Sequence, residues 1–208
     1  MVTTAHGLAA QWTRIVEDLT YRYDHVFDRA EISAAVDLAR ADLEPHARFT
    51  DYLPVLVQRF AEEQLRAAAQ AEGRLAKPVP ELLFVCVHNA GRSQMAAALA
   101  EHLSGGRVHV RTAGSAPADR IHPVVVDVLA ERGIELTEAY PKPLTDDVVR
   151  AADVIVTMGC GDACPVYPGK RYEDWPVADP ADATLDQVRS IREDLQTRVS
   201  ALLRELGI

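Results

Sequence analysis

The sequence predicts an α/β domain, a four-stranded parallel sheet flanked by helices, preceded by a small all-α domain of three helices. Three observations carry this reading. From Glu81 onward, short apolar runs of strand type alternate with amphipathic stretches, the mark of a parallel sheet with helical crossovers. Before Gly73, apolar residues recur at helical spacing. Between the two lies Gly73-Arg74-Leu75-Ala76-Lys77-Pro78-Val79-Pro80, where glycine ends a helix and two prolines stiffen an extended link. The expected domains are residues 1–77 and 78–208.

Residues 5–27 carry Leu8, Trp12, Ile15, Val16, Leu19, Tyr23 and Val26 on one helical face. Asp28 followed by Glu31 reads as a capping-box variant that opens a second helix. Its face is Ile32, Ala35, Val36, Ala39 and Leu43, with Pro45 just past its end. A third helix opens near Asp51, tolerates Pro54 in its first turn, and runs through Leu53, Val57, Phe60, Ala61, Leu65 and Ala68. Three such helices with short connections make a bundle. His6, His25 and His46 lack ligand partners at i+3 or i+4, so no metal is expected there.

In the second domain, strand 82–86 leads through a polar loop into helix 93–103. Gly105-Gly106 turns the chain, and Val108, Val110 and Thr112 make a second strand. Residues 113–117 are expected as loop. A helix then runs from His122-Pro123 through Val126, Leu129 and Ala130 and stops at Gly133, and a short one spans 146–151. Residues 153–157 make a buried strand. The stretch 159–180 is rich in Gly, Pro and Asp and reads mostly as loop, with one short strand near 172–175. Thr184 with Gln187 is a capping box for a last helix carrying Val188, Ile191, Leu195, Val199, Leu202 and Leu206.

Composition narrows the function. The 208 residues are 48% hydrophobic, enough for a core, and the net charge of −9 with no basic run argues against nucleic acid as a partner. No apolar stretch approaches the ~20 residues that span a bilayer, and no basic-then-apolar leader opens the chain. Three cysteines, an odd number, point to reactive thiols in a reducing compartment; the expected location is the cytoplasm, with no membrane partner.

The chemistry centres on Cys86-Val87-His88-Asn89-Ala90-Gly91-Arg92-Ser93, between the first strand and its helix. Strand, loop and helix in that order form an anion cradle. The loop and first-turn N–H groups lack intrahelical partners, and the helix dipole favours negative charge. The same dipoles favour a thiolate at Cys86. Arg92 offers a planar fork for a tetrahedral oxyanion, Ser93 can donate its hydroxyl to the thiolate, and Asn89 can bridge loop groups and hold their shape. The loop after the third strand carries Cys160 and Cys164. Loops at the carboxyl ends of strands share one crevice, so both cysteines are expected on the Cys86 edge. If that segment is helical, their Cα atoms lie about 6 Å apart, within disulfide range. Zinc is a rival occupant, but Arg92 opposes a cation and no metal is expected; Cys160 and Cys164 as buried packing residues is the plainer alternative. Asp179, in Asp179-Pro180 between the last strand and last helix, is a loop carboxylate of the kind that can protonate a departing oxygen, though Asp-Pro alone reads equally as a turn or helix start.

Cys-x5-Arg-Ser is the signature loop of cysteine-based phosphatases. The fuller string Cys-Val-His-Asn-Ala-Gly-Arg-Ser-Gln-Met-Ala resembles the arsenate reductases built on the low-molecular-weight phosphatase fold. Thr112-Ala113-Gly114-Ser115, His122-Pro123, Ala152 to Met158, the two late cysteines and Asp179-Pro180 extend the resemblance over 82–206. It implies arsenic detoxification by a disulfide relay. Cys86 attacks arsenate while Asp179 protonates the leaving hydroxide. Cys160 attacks Cys86 and releases arsenite, and Cys164 then takes over the disulfide for reduction by thioredoxin. No cofactor is bound; phosphate or sulfate fits the same loop.

Three departures stand out. The late cysteines are closer together than in thioredoxin-coupled members, Ala97 stands where potassium-binding members have Glu, and the N-terminal bundle is absent from minimal members. Fusions of this kind resemble actinobacterial proteins in which mycothiol, with mycoredoxin, replaces thioredoxin. The alternative reading is a low-molecular-weight protein tyrosine phosphatase using Cys86, Arg92 and Asp179. It needs neither late cysteine but does need aromatics at its mouth, for which Tyr140, Tyr167 and Trp175 are the candidates. A third reading gives the bundle a binding role. With nine Lys/Arg against twelve Asp/Glu through Lys77, dimerisation or packing fits it better than DNA.

Overall fold

The computed structural model describes residues 5–46, 51–159 and 164–208. The chain divides into two compact units, Met1–Ala76 and Lys77–Ile208. No described helix is long and apolar enough to cross a membrane.

The first unit holds α1 (Ala5–Arg22), α2 (Arg29–Leu43), a 3-10 turn at Glu44–His46, and α3 (Leu53–Ala71). α2 starts where it does because Asp28 and Glu31 cap each other. The Asp28 carboxylate accepts from Glu31 N at 2.8 Å and the Glu31 carboxylate accepts from Asp28 N at 2.8 Å. Ile15 and Leu19, Ile32 and Val36, and Val57, Phe60 and Ala61 bury one stripe from each helix to form the core. The apolar spacing that runs on to Val26 does not extend α1. Residues 23–26 turn, closed by Val26 N donating to Tyr23 O at 2.9 Å. His25 sits there at φ +76, a left-handed conformation that no right-handed helix contains.

The second unit contains β1 (Glu81–Cys86), α4 (Arg92–Ser104), β2 (His109–Gly114), α5 (Pro123–Ala130), α6 (Asp146–Ala151), β3 (Val154–Met158), β4 (Arg171–Asp174) and α7 (Leu185–Glu205). The strands run parallel in the order β2-β1-β3-β4. Every residue of β1 is buried, as expected of a central parallel strand covered on both faces, which is why its sequence is a near-continuous apolar run. The register aligns Cys86 with Gly114 of β2 and with Met158 of β3, so three strand ends meet at one edge. α4 is lined with alanines (Ala96, Ala97, Ala98 and Ala100 are all buried) and packs close to the sheet and to α7. The Thr184–Gln187 box caps α7, with Thr184 N donating to Gln187 Oε1 at 2.7 Å.

Ala113 and Gly114 belong to β2 and not to the loop expected there. Gly114 N donates to Lys142 O and Leu144 N donates to Gly114 O, both at 2.9 Å, which holds this end extended. At the opposite end of the sheet the Glu81 side chain is fully buried. Arg111 Nε donates to its Oε2 at 3.2 Å, and His109 Nδ1 lies 2.6 Å from the same oxygen. Removing one partner of a buried ion pair strands the other charge. Arg111→Ala is therefore expected to destabilise this unit by about 3 kcal/mol. The check is the urea midpoint read by Trp175 fluorescence in a Trp12→Phe background, since the chain has two tryptophans, one in each unit.

Candidate active site

Backbone accounting explains the loop between β1 and α4. Each carbonyl from Cys86 to Gly91 accepts a hydrogen bond. Ser115 N donates to Cys86 O (3.3 Å), Ala116 N to Val87 O (2.8 Å), Ala118 N to His88 O (2.9 Å) and His122 N to Ala90 O (2.9 Å). Asn89 O accepts from Gln94 Nε2 (3.1 Å), and Gly91 O from Met95 N (2.9 Å). A planar peptide points its N–H opposite to its C=O. Carbonyls turned out toward 115–122 therefore leave N–H groups turned in. Arg92, Ser93 and Gln94 precede the first helical bond, made by Met95 N, so their N–H groups join that set. The result is a nest of donors over Cys86, the geometry that binds a tetrahedral anion.

Side chains lock this shape. Asn89, fully buried at φ +48, occupies a left-handed position that asparagine tolerates better than most residues. Its Oδ1 accepts from Lys142 N at 2.9 Å and Gln94 Nε2 at 3.1 Å, and its Nδ2 donates to Ser93 Oγ at 2.8 Å. Ser93 Oγ lies 3.0 Å from Cys86 Sγ. With a thiolate at Cys86, Ser93 must be the donor, so the chain runs Asn89 to Ser93 to sulfur. Gln94 also donates to Tyr140 O at 3.1 Å, tying the loop to the segment before α6. Lys142 and Tyr140 lie 53 and 46 residues from their partners Asn89 and Gln94 and carry no local signal.

Arg92, at the start of α4, reaches two distant segments. Its side chain is half-buried, and Nη2 donates to Asp179 Oδ2 at 2.6 Å. Its guanidinium also rests against Gly159, where an added Cβ would stand 2.9 Å from Nη1. Asp179 Oδ1 accepts from Ala181 N at 3.0 Å, and Pro180 packs so tightly on Gly91 that a Cβ there would meet its Cγ at 2.5 Å. The structure thus brings together Cys86, Asn89, Arg92, Ser93 and Asp179, with His88 exposed, Val87 half-buried, and Ala90 and Gly91 buried. Cys86 and Cys164 are both buried thiols. Cys160, and with it the expected Cys160–Cys164 geometry, lies outside the described residues. Among the described residues no cluster of three or more His, Cys, Asp or Glu could hold a metal ion.

The three aromatics offered as mouth residues are otherwise engaged. Trp175 is 5% exposed, tilted against Phe84 at 5.9 Å between ring centroids, and donates Nε1 to Glu173. The Tyr167 hydroxyl donates to Asp146, and that bond raises its pKa. The Tyr140 hydroxyl is buried.

The low molecular weight phosphotyrosine protein phosphatase profile matches residues 81–207. The chain belongs to this family. A second profile, the protein-tyrosine-phosphatase-like N-terminal domain, matches residues 12–69 in the helical unit. Within the family, a Halobacterium salinarum relative named for arsenate reduction is 39% identical over 129 residues, 60% of this chain and 91% of its own. The glutaredoxin arsenate reductase of Synechocystis is 30% identical over 130 residues, 61% of this chain and 98% of its own. Both units are matched by the solved Corynebacterium glutamicum thioredoxin-dependent arsenate reductase Cg_ArsC1', with TM-score 0.86 and 45% identity over 94% of this chain and 96% of that one.

The cradle depends on how close β2 comes. A Cβ on Gly114 would lie 2.7 Å from Val87 O and 2.9 Å from Asn89 N, backbone atoms that cannot swing aside. Gly114→Ala is expected to push the loop out of shape and weaken phosphate binding by about tenfold or more, measured by calorimetry with circular dichroism as the folding control.

Proposed function

We propose that this chain is an arsenate reductase working through a Cys86, Cys160 and Cys164 relay. The observation that carries this is the course of the chain after β3: Gly159 lies against the Arg92 guanidinium, and Cys160 is the next residue. The sequence thus sets a second potential nucleophile directly after a residue that touches the guanidinium of the cradle arginine. The likeness to a thioredoxin-dependent arsenate reductase over both units supports the same reading.

In this mechanism arsenate enters the nest of N–H groups and takes the Arg92 fork, which releases Asp179 from its ion pair with Arg92. Asp179, freed from the ion pair, takes a proton from the entering hydrogen arsenate; Cys86, stabilised by the Ser93 hydroxyl, attacks arsenic, and Asp179 returns that proton to the leaving hydroxide, which departs as water. Cys160 then attacks Cys86 Sγ. The S–As bonding pair stays on arsenic, As(V) becomes As(III), and arsenite leaves a Cys86–Cys160 disulfide. Cys164 attacks Cys160, Cys86 departs as thiolate, and the resulting Cys160–Cys164 disulfide passes to an external thiol donor. Thioredoxin is the donor favoured by the structural likeness; mycothiol with mycoredoxin is the alternative suggested by the fused bundle. The relay needs a reducing compartment, so the cytoplasm is the proposed location. Phosphate and sulfate, near in shape to arsenate, compete for the loop. Phosphotyrosine hydrolysis would use the same Cys86, Arg92 and Asp179, but Trp175 is buried and the Tyr167 hydroxyl is engaged by Asp146.

Cys86→Ser is expected to abolish arsenate reduction. Cys164→Ser is expected to release one arsenite per chain and stall with a Cys86–Cys160 disulfide, read by mass spectrometry of the unreduced digest. Retained turnover in Cys86→Ser, or phosphotyrosine turnover without arsenite production in the parent, would overturn the reading. Asp179→Asn is expected to lower the rate of adduct formation by about a hundredfold, read in single-turnover kinetics.

A further inference from the structure

The relay ends on Cys164, and the residues that follow it are held by a clamp that the chemistry above does not use. Tyr172 on β4 places one hydroxyl between two groups of the Pro165–Tyr167 turn. Its O–H donates to Pro165 O at 3.1 Å, and its oxygen accepts from Tyr167 N at 2.9 Å. Tyr167 in turn donates its own hydroxyl to Asp146 at the start of α6. The strand that carries Tyr172 is fixed in register against β3, Tyr172 opposite Ile155. Cys164 is 8% exposed, with Sγ 3.9 Å from the same Pro165 carbonyl that Tyr172 holds. Val166, inside the clamped turn, projects into solvent at 78% exposure, so apolar burial of its own side chain does not hold the turn in place.

We infer that Tyr172 is a positioning residue for Cys164: its hydroxyl fixes the turn that follows Cys164, so the thiol is held buried against the Pro165 carbonyl for its step in the relay. This rests on the relay proposed above. The step concerned is Cys164 thiolate attacking Cys160 Sγ of the Cys86–Cys160 disulfide, forming Cys160–Cys164 and expelling the Cys86 thiolate. Reaction between two held groups gains from orientation, and that gain is lost when one of them wanders. The preceding steps, carried by Cys86, Arg92, Asp179 and Cys160, do not use the Cys164 thiol. A residue serving only general stability would instead affect all steps together.

The experiment uses Tyr172→Phe in the full chain, which keeps the ring and removes both hydrogen bonds. Reduced protein is mixed with arsenate without external thiol, quenched by acid over time, and its disulfides are mapped. Appearance of the Cys86–Cys160 disulfide is expected at the parent rate, and its conversion to Cys160–Cys164 about tenfold slower. In a Cys160→Ser background, alkylation of Cys164 by iodoacetamide is expected to be about tenfold faster with Tyr172→Phe than without it. Tyr167→Phe, which frees the turn from Asp146 but leaves Tyr172 in place, is expected to shift both readouts the same way by a smaller factor, and it decides the matter if Tyr172→Phe does not fold. A parent that relays normally while the variants match it in conversion and alkylation overturns the assignment of Tyr172 alone. A parent that forms no relay disulfide with arsenate overturns the relay reading, and the role of Tyr172 falls with it.

Discussion

Six consecutive carbonyls must be turned away from one point in space for this cleft to exist. From Cys86 to Gly91 each finds a donor elsewhere, four of them in the segment that follows β2. A single carbonyl facing inward would set a partial negative charge against an anion and cancel much of what the helix dipole contributes. The loop is therefore less a flexible connection than a template pressed between β2 and α4. The absence of a side chain at Gly114 and the left-handed turn at Asn89 are the two local conditions that make the pressing possible.

The sheet supplies the second condition. Parallel register brings the ends of β1, β2 and β3 to one edge, so the chain leaving β3 starts beside Arg92 without further device. Arg92 then joins elements far apart in sequence: the loop it belongs to, Gly159, and Asp179. Its pairing with Asp179 keeps two opposite charges mutually satisfied. Trp175 contributes by anchoring the start of the Asp179 segment into the core against Phe84, which is why it cannot also serve as an exposed recognition surface.

Features whose cause lies within a few residues were legible in the sequence. The boxes Asp28–Glu31 and Thr184–Gln187 announce helix starts because both partners sit within one turn. The buried strands read as apolar runs because both faces of the sheet are covered. The proximity of Cys86, Asn89, Arg92 and Ser93 follows from their spacing across a strand–loop–helix junction. Where local pattern and backbone disagreed, the backbone won: the apolar spacing continues to Val26, yet the chain turns at Tyr23. Periodicity reports which residues favour burial and is silent on where a helix stops.

The sequence by itself therefore determined most element types, the strand–loop–helix junction and the chemical kinds of side chain around it, since these depend on neighbours in the chain. Only the tertiary structure decided that Lys142 N, 53 residues from Asn89, completes the loop lock; that Asp179, 87 residues from Arg92, closes over it; and that Tyr172 brackets the turn after Cys164. Those partners are ordinary residues in unremarkable stretches. Parallel strands need long crossovers, and long crossovers place distant residues at one edge without leaving any local mark of the pairing.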